Sequence, residues 1–299
     1  MTDVRHNDVP TSSAPATGLK RNLQNRHIQM IALGGAIGTG LFYGSASSAQ
    51  IAGPAVLLAY AIGGAAIFLI MRALGEMSVH TPVSGAFSYY ASENWGRFAG
   101  FFSGWNYWFN YIFVSMAELS VVGIYVNYWF PTVHPGITAA VFLVIITAIN
   151  LINVKAYGEF EFWFAIIKVV AIVAMIVLGL LLIVGIGGQP VGISNLWANG
   201  GFMPTGLWGM LSALVVVMFA FGGVGLIGIT AGEADNPQRT IPKAINQVVY
   251  RILIFYIGAL FVVFSLVPWN QLDDKHSPFV LIFDKLGSPP RRAFSTSWS

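Results

Sequence analysis

No cysteine occurs among the 299 residues, and only 9% of them are charged. The first absence excludes disulfides and thiolate metal sites and says nothing about compartment. The second is far from the roughly 25% charge of soluble domains. Other absences narrow the classes further. No segments of ~10 residues alternate in polarity, so a transmembrane β-barrel is excluded. The net charge of +3 is spread over loops rather than clustered, which argues against nucleic acid as a partner. Residues 1–27 are polar and lack an apolar core segment, so no cleavable signal peptide is expected and the first span serves as the insertion signal. No Ser/His/Asp constellation and no metal-ligand spacing occurs, so neither an enzyme, a cofactor nor a metal site is expected. No ring of filter carbonyls or charges suggests a channel.

What remains is 56% hydrophobic residues, gathered in runs long enough for a bilayer core about 30 Å thick. The chain reads as an all-α polytopic membrane protein. Seven spans are predicted, at about 28–50, 54–77, 98–130, 137–153, 160–186, 206–231 and 246–268. Pro54, Pro131, Pro135 and Pro204 lie in or beside connections, where a missing N–H does least harm. Arg5, Lys20, Arg21 and Arg26 precede span 1, Arg72 and Arg97 flank the connection of spans 2 and 3, Lys155 follows span 4, and Arg239, Lys243 and Arg251 follow span 6. The connections at 51–53, 131–136 and 187–205 hold no Lys or Arg. The positive-inside rule then places the N-terminus in the cytoplasm. Trp105, Trp108, Trp129, Trp197 and Trp269 include candidate interfacial anchors. Past span 7 the pattern fails: "SPFVLIFDKLG" reads as the lead-in to another span, and "SPPRRAFSTSWS" replaces it with a basic polar tail. A C-terminally truncated or frame-shifted chain is the expectation, against a native seven-span protein with an exposed tail.

Two spans carry glycine where a helix least wants it. "GGAIGTGLF" holds Gly34, Gly35, Gly38 and Gly40 in span 1, and "FAFGGVGLIGITAGE" holds Gly222, Gly223, Gly225 and Gly228 in span 6. Each glycine costs a helix interior roughly 1 kcal/mol relative to alanine. Close helix packing would explain one such span. Two of them, at positions one and six, fit inverted-repeat transporters whose first helices unwind near the midplane, where bare backbone is tolerated only if it lines a cavity or is buried in protein. A half-helix N-terminus offers N–H groups to an anion, the other half offers carbonyls to a cation, and a zwitterion suits both. "GVGLIG" at 223–228 matches a dinucleotide fingerprint, but that motif has meaning only between a strand and a helix of a soluble unit. Glu118 in span 3 and Lys168 in span 5 are ionisable groups inside spans, which usually face the bundle interior. A structural ion pair is one reading, a proton or substrate relay the other, since desolvation can lower a buried lysine's pKa. His27, His80 and His134 are ordinary interfacial histidines, and Glu233, Asp235, Arg239 and Lys243 form a solvated cytoplasmic loop.

The stretches "LKRNLQNRHIQMIALGGAIGTGLF", "GEMSVHTPVSGAFSYYA", "GWNYW", "EFWFAIIKV" and "GITAGEADNPQRTIPKAINQVVYRILIFYIG" resemble bacterial amino acid permeases of the amino acid–polyamine–organocation superfamily. The similarity runs from about 19 to 287 and is greatest to the aromatic amino acid permeases, then to proline-type permeases. It implies a twelve-span fold of five-plus-five inverted repeats plus two, of which this chain would hold about seven spans, incomplete, with spans 1 and 6 unwound. The implied divisions are a cytoplasmic segment 1–27, a first repeat 28–186, the start of a second repeat 206–268, and an extracytoplasmic or truncated tail 269–299. The implied function is import of an aromatic or other neutral amino acid by proton symport in the bacterial inner membrane, with proline or histidine as alternative substrates. Substrate, protons and the lipid bilayer are the implied partners. By the same resemblance the N–H groups of Thr39 and Gly40 would hold the substrate carboxylate, with Gly38 allowing approach, and the carbonyls of Ala36, Phe219 and Gly222 would face the amine. Tyr111, Ser115 and Glu118 would border the side-chain pocket. Lys168 matches a lysine that stands where sodium-coupled relatives bind an ion, and with Glu118 would serve proton coupling.

Two departures stand out. The family's second break usually reads glycine, any residue, glutamate, and here Gly225 takes the glutamate's place. The walls that spans 8 and 10 would supply are also missing. Both weigh against transport by the chain as it stands, so a truncated, non-transporting remnant or an amino-acid-binding membrane protein is the alternative.

Overall fold

In the computed structural model, residues 37–81, 83, 85–152, 154–186, 190–225 and 237–272 are described. Every regular element among them is helical, as an all-α membrane protein requires. Four stretches are long and apolar enough to cross a bilayer: Gly44–His80, Arg97–Asn127, Phe162–Val184 and Ile241–Leu266. Pro135–Leu151 and Gly206–Ala220 are shorter apolar helices. The first stretch has 37 residues, which at 1.5 Å each would run about 55 Å, nearly twice the bilayer core. It is two spans. Gly53, at φ 60°, and a 3₁₀ turn over Gly53–Ala55 containing Pro54 separate the Gly44–Ala52 helix of span 1 from the Val56–His80 helix of span 2. Gly53 is obligatory there, because a side chain would run into the Pro204 ring.

The remaining spans follow the expected order. Span 3 is the helix Arg97–Trp129, span 4 Pro135–Ile152 and span 5 Val154–Val184. Span 6 is helical over Gly206–Ala220. Residues 28–36 of span 1 and 226–231 of span 6 lie outside the described residues. Two connections contain more helix than expected. A helix Ala86–Trp95 precedes span 3; Ser88 and Ser92 come so close to span 3 that only glycine fits at Gly100. Tyr90 ties this helix to the end of span 2 by donating to the Thr81 carbonyl at 2.7 Å. Burial holds its phenol above the ordinary pKa, with the Ser78 hydroxyl pulling the other way. The segment read as a cytoplasmic loop around Arg239 and Lys243 is instead a helix, Pro237–Arg251. Arg239 and Lys243 are indeed exposed, but Ile241, Ala244 and Ile245 are buried, and that i, i+3, i+4 spacing lays one face on span 2. Pro237 starts the helix, where its missing N–H is harmless.

Span 7 continues through a π-helical stretch, Ile252–Gly258, into the helix Ala259–Leu266. The wider turn changes the helix phase. Before it, Ile245 and Ile252 fill the notches at Gly75 and Gly64 of span 2; after it, Val262 and Leu266 fill the notch at Gly179 of span 5. Span 2 also receives Val217 and Phe221 of span 6 at Gly63. The buried core accordingly sits among spans 1, 2, 6 and 7, with Leu41, Tyr60, Val217, Phe221, Tyr256, Leu260 and Phe264 almost wholly enclosed. At one end of this bundle Gly53 meets Pro204 and Trp269, the Trp269 indole donates to the Asn199 carbonyl at 3.0 Å, and the Gln50 amide donates to the Leu272 carbonyl at 2.9 Å. Gly53, Asn199 and Pro204 belong to two of the connections that lack Lys and Arg. At the other end a cavity of about 530 Å³ is lined by Arg72, Glu76 and His80 of span 2 and by Gln238 and Asn246 of the helix before span 7.

Candidate functional site: two interrupted helices that cross

The backbone of span 1 is extended at Gly38 (φ −119°, ψ −167°), and a helix starts at Thr39. The Leu41 and Phe42 amides both donate to the Gly38 carbonyl, at 3.1 and 3.3 Å. Gly38 is therefore the cap, and Thr39 and Gly40 occupy the first two helical positions, whose N–H groups have no acceptor within their own helix. Gly38 does not owe its identity to crowding, since a Cβ there would lie 3.7 Å from the Glu118 Oε1, an ordinary contact. Gly40 does. A Cβ at 40 would stand 2.5 Å from the Ala220 Cα and 2.9 Å from its nitrogen.

Ala220 is where span 6 stops being α-helical. Phe221 turns out of the helix (φ −93°, ψ 3°) and the chain enters a 3₁₀ turn over Gly222–Gly225. The start of one helix and the end of the other thus meet, backbone against backbone, at Gly40 and Ala220. In an unbroken helix the Ala220 carbonyl would accept from the amide four residues on. Here the Tyr256 hydroxyl donates to it, at 2.9 Å. The Tyr256 ring lies 4.8 Å from Phe221 and 5.7 Å from Tyr60, and Tyr60 lies 5.9 Å from Phe221, edge on. This aromatic triangle is closed to solvent. The other side of the break is open among the described residues: Phe219 is 40% exposed, and none of them lies within 4 Å of a Cβ built on Gly222.

The remaining expected site residues fall into three groups. Glu118 faces the first break through the Gly38 contact. Tyr111 joins an aromatic ladder: its ring is 4.6 Å from Tyr107, Tyr107 is 5.8 Å from Phe87, and the Phe87 Cζ would lie 3.3 Å from a Cβ on Gly225. Ser115 is exposed on the same span. Lys168 is half-buried on span 5, in line with the buried Ala165, Ile172 and Met175, so it lies on the inward face. Ala36 and His27 lie outside the described residues. His134 accepts from the Gly136 amide at 3.1 Å and shapes the turn before span 4. Among the described residues no cluster of three or more His, Asp or Glu could hold a metal.

Four residues escaped the sequence reading. Ala220 carries no signal, being one alanine among many. Tyr256 does: a tyrosine in the apolar run "ILIFYIG" has a hydroxyl that needs a partner in a dry interior. Tyr107 stands one helical turn before Tyr111. Phe87 is placed only by the fold of the connecting helix.

Residues 27–291 match the amino acid permease family. The chain is 61% identical over 270 residues, 90% of its length, to the aromatic amino acid transport protein AroP of Escherichia coli K12. It is 59% identical over 270 residues to AroP of Salmonella typhimurium LT2. Over 274 residues, 91% of its length, it is 56% identical to the uncharacterized amino acid permease YtnA of Bacillus subtilis 168. It spans 59% of the length of each of these relatives. With that likeness running through both interrupted helices, the chain belongs to the amino acid permease family, a family of permeases and not of enzymes.

Proposed function

We propose that the chain binds a zwitterionic amino acid where spans 1 and 6 cross, and that it is built as a permease importing an aromatic or other neutral amino acid by proton symport. One observation carries this reading: a helix that begins mid-span in span 1 and a helix that ends mid-span in span 6 touch there, Gly40 on Ala220. First-turn amides at Thr39 and Gly40 suit a carboxylate. The carbonyls of Ala36, Phe219 and Gly222 suit an ammonium group. Tyr111 and Ser115 border the side chain, and the Phe87–Tyr107–Tyr111 ladder favours an aromatic one by stacking. AroP is by name an aromatic amino acid transport protein, which supports the same substrate class. Glu118 beside Gly38 and Lys168 on the inward face of span 5 are the residues for proton coupling. The N-terminus lies in the cytoplasm of the bacterial cell, the bundle end at Arg72 and Glu76 faces inward, and residues 28–186 and 206–268 form the first inverted repeat and the start of the second.

Binding of labelled phenylalanine, tyrosine, tryptophan or proline to the purified chain in lipid nanodiscs tests the site. Phenylalanine should bind, while analogues lacking either the carboxylate or the amine should compete only weakly. Thr39→Pro should abolish binding by removing one amide; full affinity in that variant refutes the carboxylate site. A second reading, binding without transport, is favoured by Gly225. Phe87 packs where the family's glutamate would stand, and glycine neither carries a proton nor pairs a charge. Uptake into cells making only this chain separates the two readings, and uptake that collapses with an uncoupler establishes symport.

A further inference from the structure

We propose that Tyr256 is the positioning residue of the span 6 break: its hydroxyl ties the end of the interrupted helix to span 7 and so holds the neighbouring carbonyls of Phe219 and Gly222 toward the ligand. The inference rests on the substrate site proposed above. Three observations lead to it. The Ala220 carbonyl, freed by the interruption, is met by a side chain from another span, 36 residues on, at 2.9 Å. Tyr256 is enclosed (1% exposed) and its ring is wedged between Phe221 and Tyr60, so the hydroxyl is aimed by packing. The residue also lies inside the π-helical stretch Ile252–Gly258, whose change of phase lets span 7 serve span 2 before it and span 5 after it while still turning Tyr256 toward span 6. A carbonyl at a helix interruption has no fixed partner of its own and rotates with its peptide plane. Tying one carbonyl restrains the planes on either side: the plane before it carries the Phe219 carbonyl, and the Gly222 carbonyl follows two planes on. Gly40 rests on the same residue, so the tie also keeps the two breaks in register.

Tyr256→Phe keeps the ring and removes the tie. L-Phenylalanine binding should weaken about five- to tenfold, the worth of one hydrogen bond. Binding of 3-phenylpropionate, which lacks the amine, should change less than twofold; equal weakening of both ligands would mean general loosening and would overturn the positioning role. A second measurement does not depend on binding. The chain has no cysteine, and Gly222→Cys places a lone thiol where nothing crowds it. Maleimide labelling of that thiol should accelerate several-fold when Tyr256→Phe is added, because the break is released. Unchanged labelling overturns the tie, whatever the ligand does. If labelling accelerates while the unmodified chain binds no amino acid, the tie stands and the substrate reading falls.

Discussion

Spans 2 and 7 are buried on about half or more of their most apolar stretches, 50% for Gly44–His80 and 62% for Ile241–Leu266, whereas spans 3 and 5 are buried on only 11% and 17%. Hydrophobicity does not make the difference. The Phe162–Val184 stretch of span 5 is the most apolar of the four and among the least enclosed. In a bilayer, apolar side chains gain little by leaving lipid for protein, so helices associate where small residues let them come close. Notches occur on both kinds of span, since Gly100 of span 3 and Gly179 of span 5 are filled as well, but those of the enclosed spans converge on one core: Gly40 of span 1 receives Ala220, and Gly63, Gly64 and Gly75 of span 2 receive Phe221, Ile252 and Ile245. Close packing by small residues and helix interruption, the two explanations of the glycine-rich spans, therefore apply together. Gly40 is a packing glycine in the first turn of the helix that starts at Thr39, and Gly38 is its cap.

The comparison breaks most readily by emptying the enclosed half. Phe264→Ala removes a side chain that is 1% exposed in span 7 and should cost about 3–5 kcal/mol, read as a lowered melting temperature of the detergent-purified protein; a change under 1 kcal/mol would mean that the core does not hold the bundle. Next in size is Gly40→Ala. Its Cβ would stand 2.5 Å from backbone, which cannot swing aside as a side chain can. Overpacking of this kind costs about 1–3 kcal/mol, and ligand affinity should fall with stability because the two breaks are pushed apart. Ala at Gly38, 3.7 Å from a flexible carboxylate, should cost less. If both alanine variants behave alike, the crossing point is misidentified.

That contrast also measures what a sequence of this kind discloses. Span positions follow from apolar length, and the connections free of Lys and Arg at 51–53 and 187–205 do come together at one end of the bundle. The two interruptions are legible because glycine has no other business in such numbers mid-span. What is not legible is which glycine caps and which is crossed, because that depends on a partner 180 residues away. The helix over Pro237–Arg251 was hidden by its charges: Arg239 and Lys243 look like loop until Ile241 and Ile245 are seen to share a face. The Tyr256 tie required the phase change of a π-helical stretch, which has no compositional mark.

A smaller effect, of opposite sign, is expected from the other tyrosine of the aromatic triangle. Tyr60 is fully buried, and among the described residues its hydroxyl makes no hydrogen bond of good geometry. Ser48 lies toward it but donates its own hydrogen to the Ser45 carbonyl at 3.1 Å. A buried hydroxyl without a partner is a desolvation cost with no return, so Tyr60→Phe should be neutral or stabilise by up to about 1 kcal/mol. Tyr256→Phe, in the same triangle, should destabilise. Loss of stability in Tyr60→Phe would reveal a water or a ligand on that hydroxyl.

The smallest change is expected on the outward face. Val144 of span 4 is 68% exposed, and Val144→Leu adds one methylene to a surface that meets lipid. Lipid adapts to the extra volume, and the transfer of a methylene from lipid to lipid has no driving force, so stability should stay within about 0.5 kcal/mol. The value of the measurement lies in its failure. A loss of about 1–3 kcal/mol is what overpacking of a close-fitted surface produces, and lipid cannot produce it. Such a loss would mean that protein covers this face, and the enlarging substitutions Ile145→Phe and Leu151→Phe, exposed on the same span, would trace its edge. The division into an enclosed and a lipid-facing half would then describe a part whose outer spans are completed by further protein.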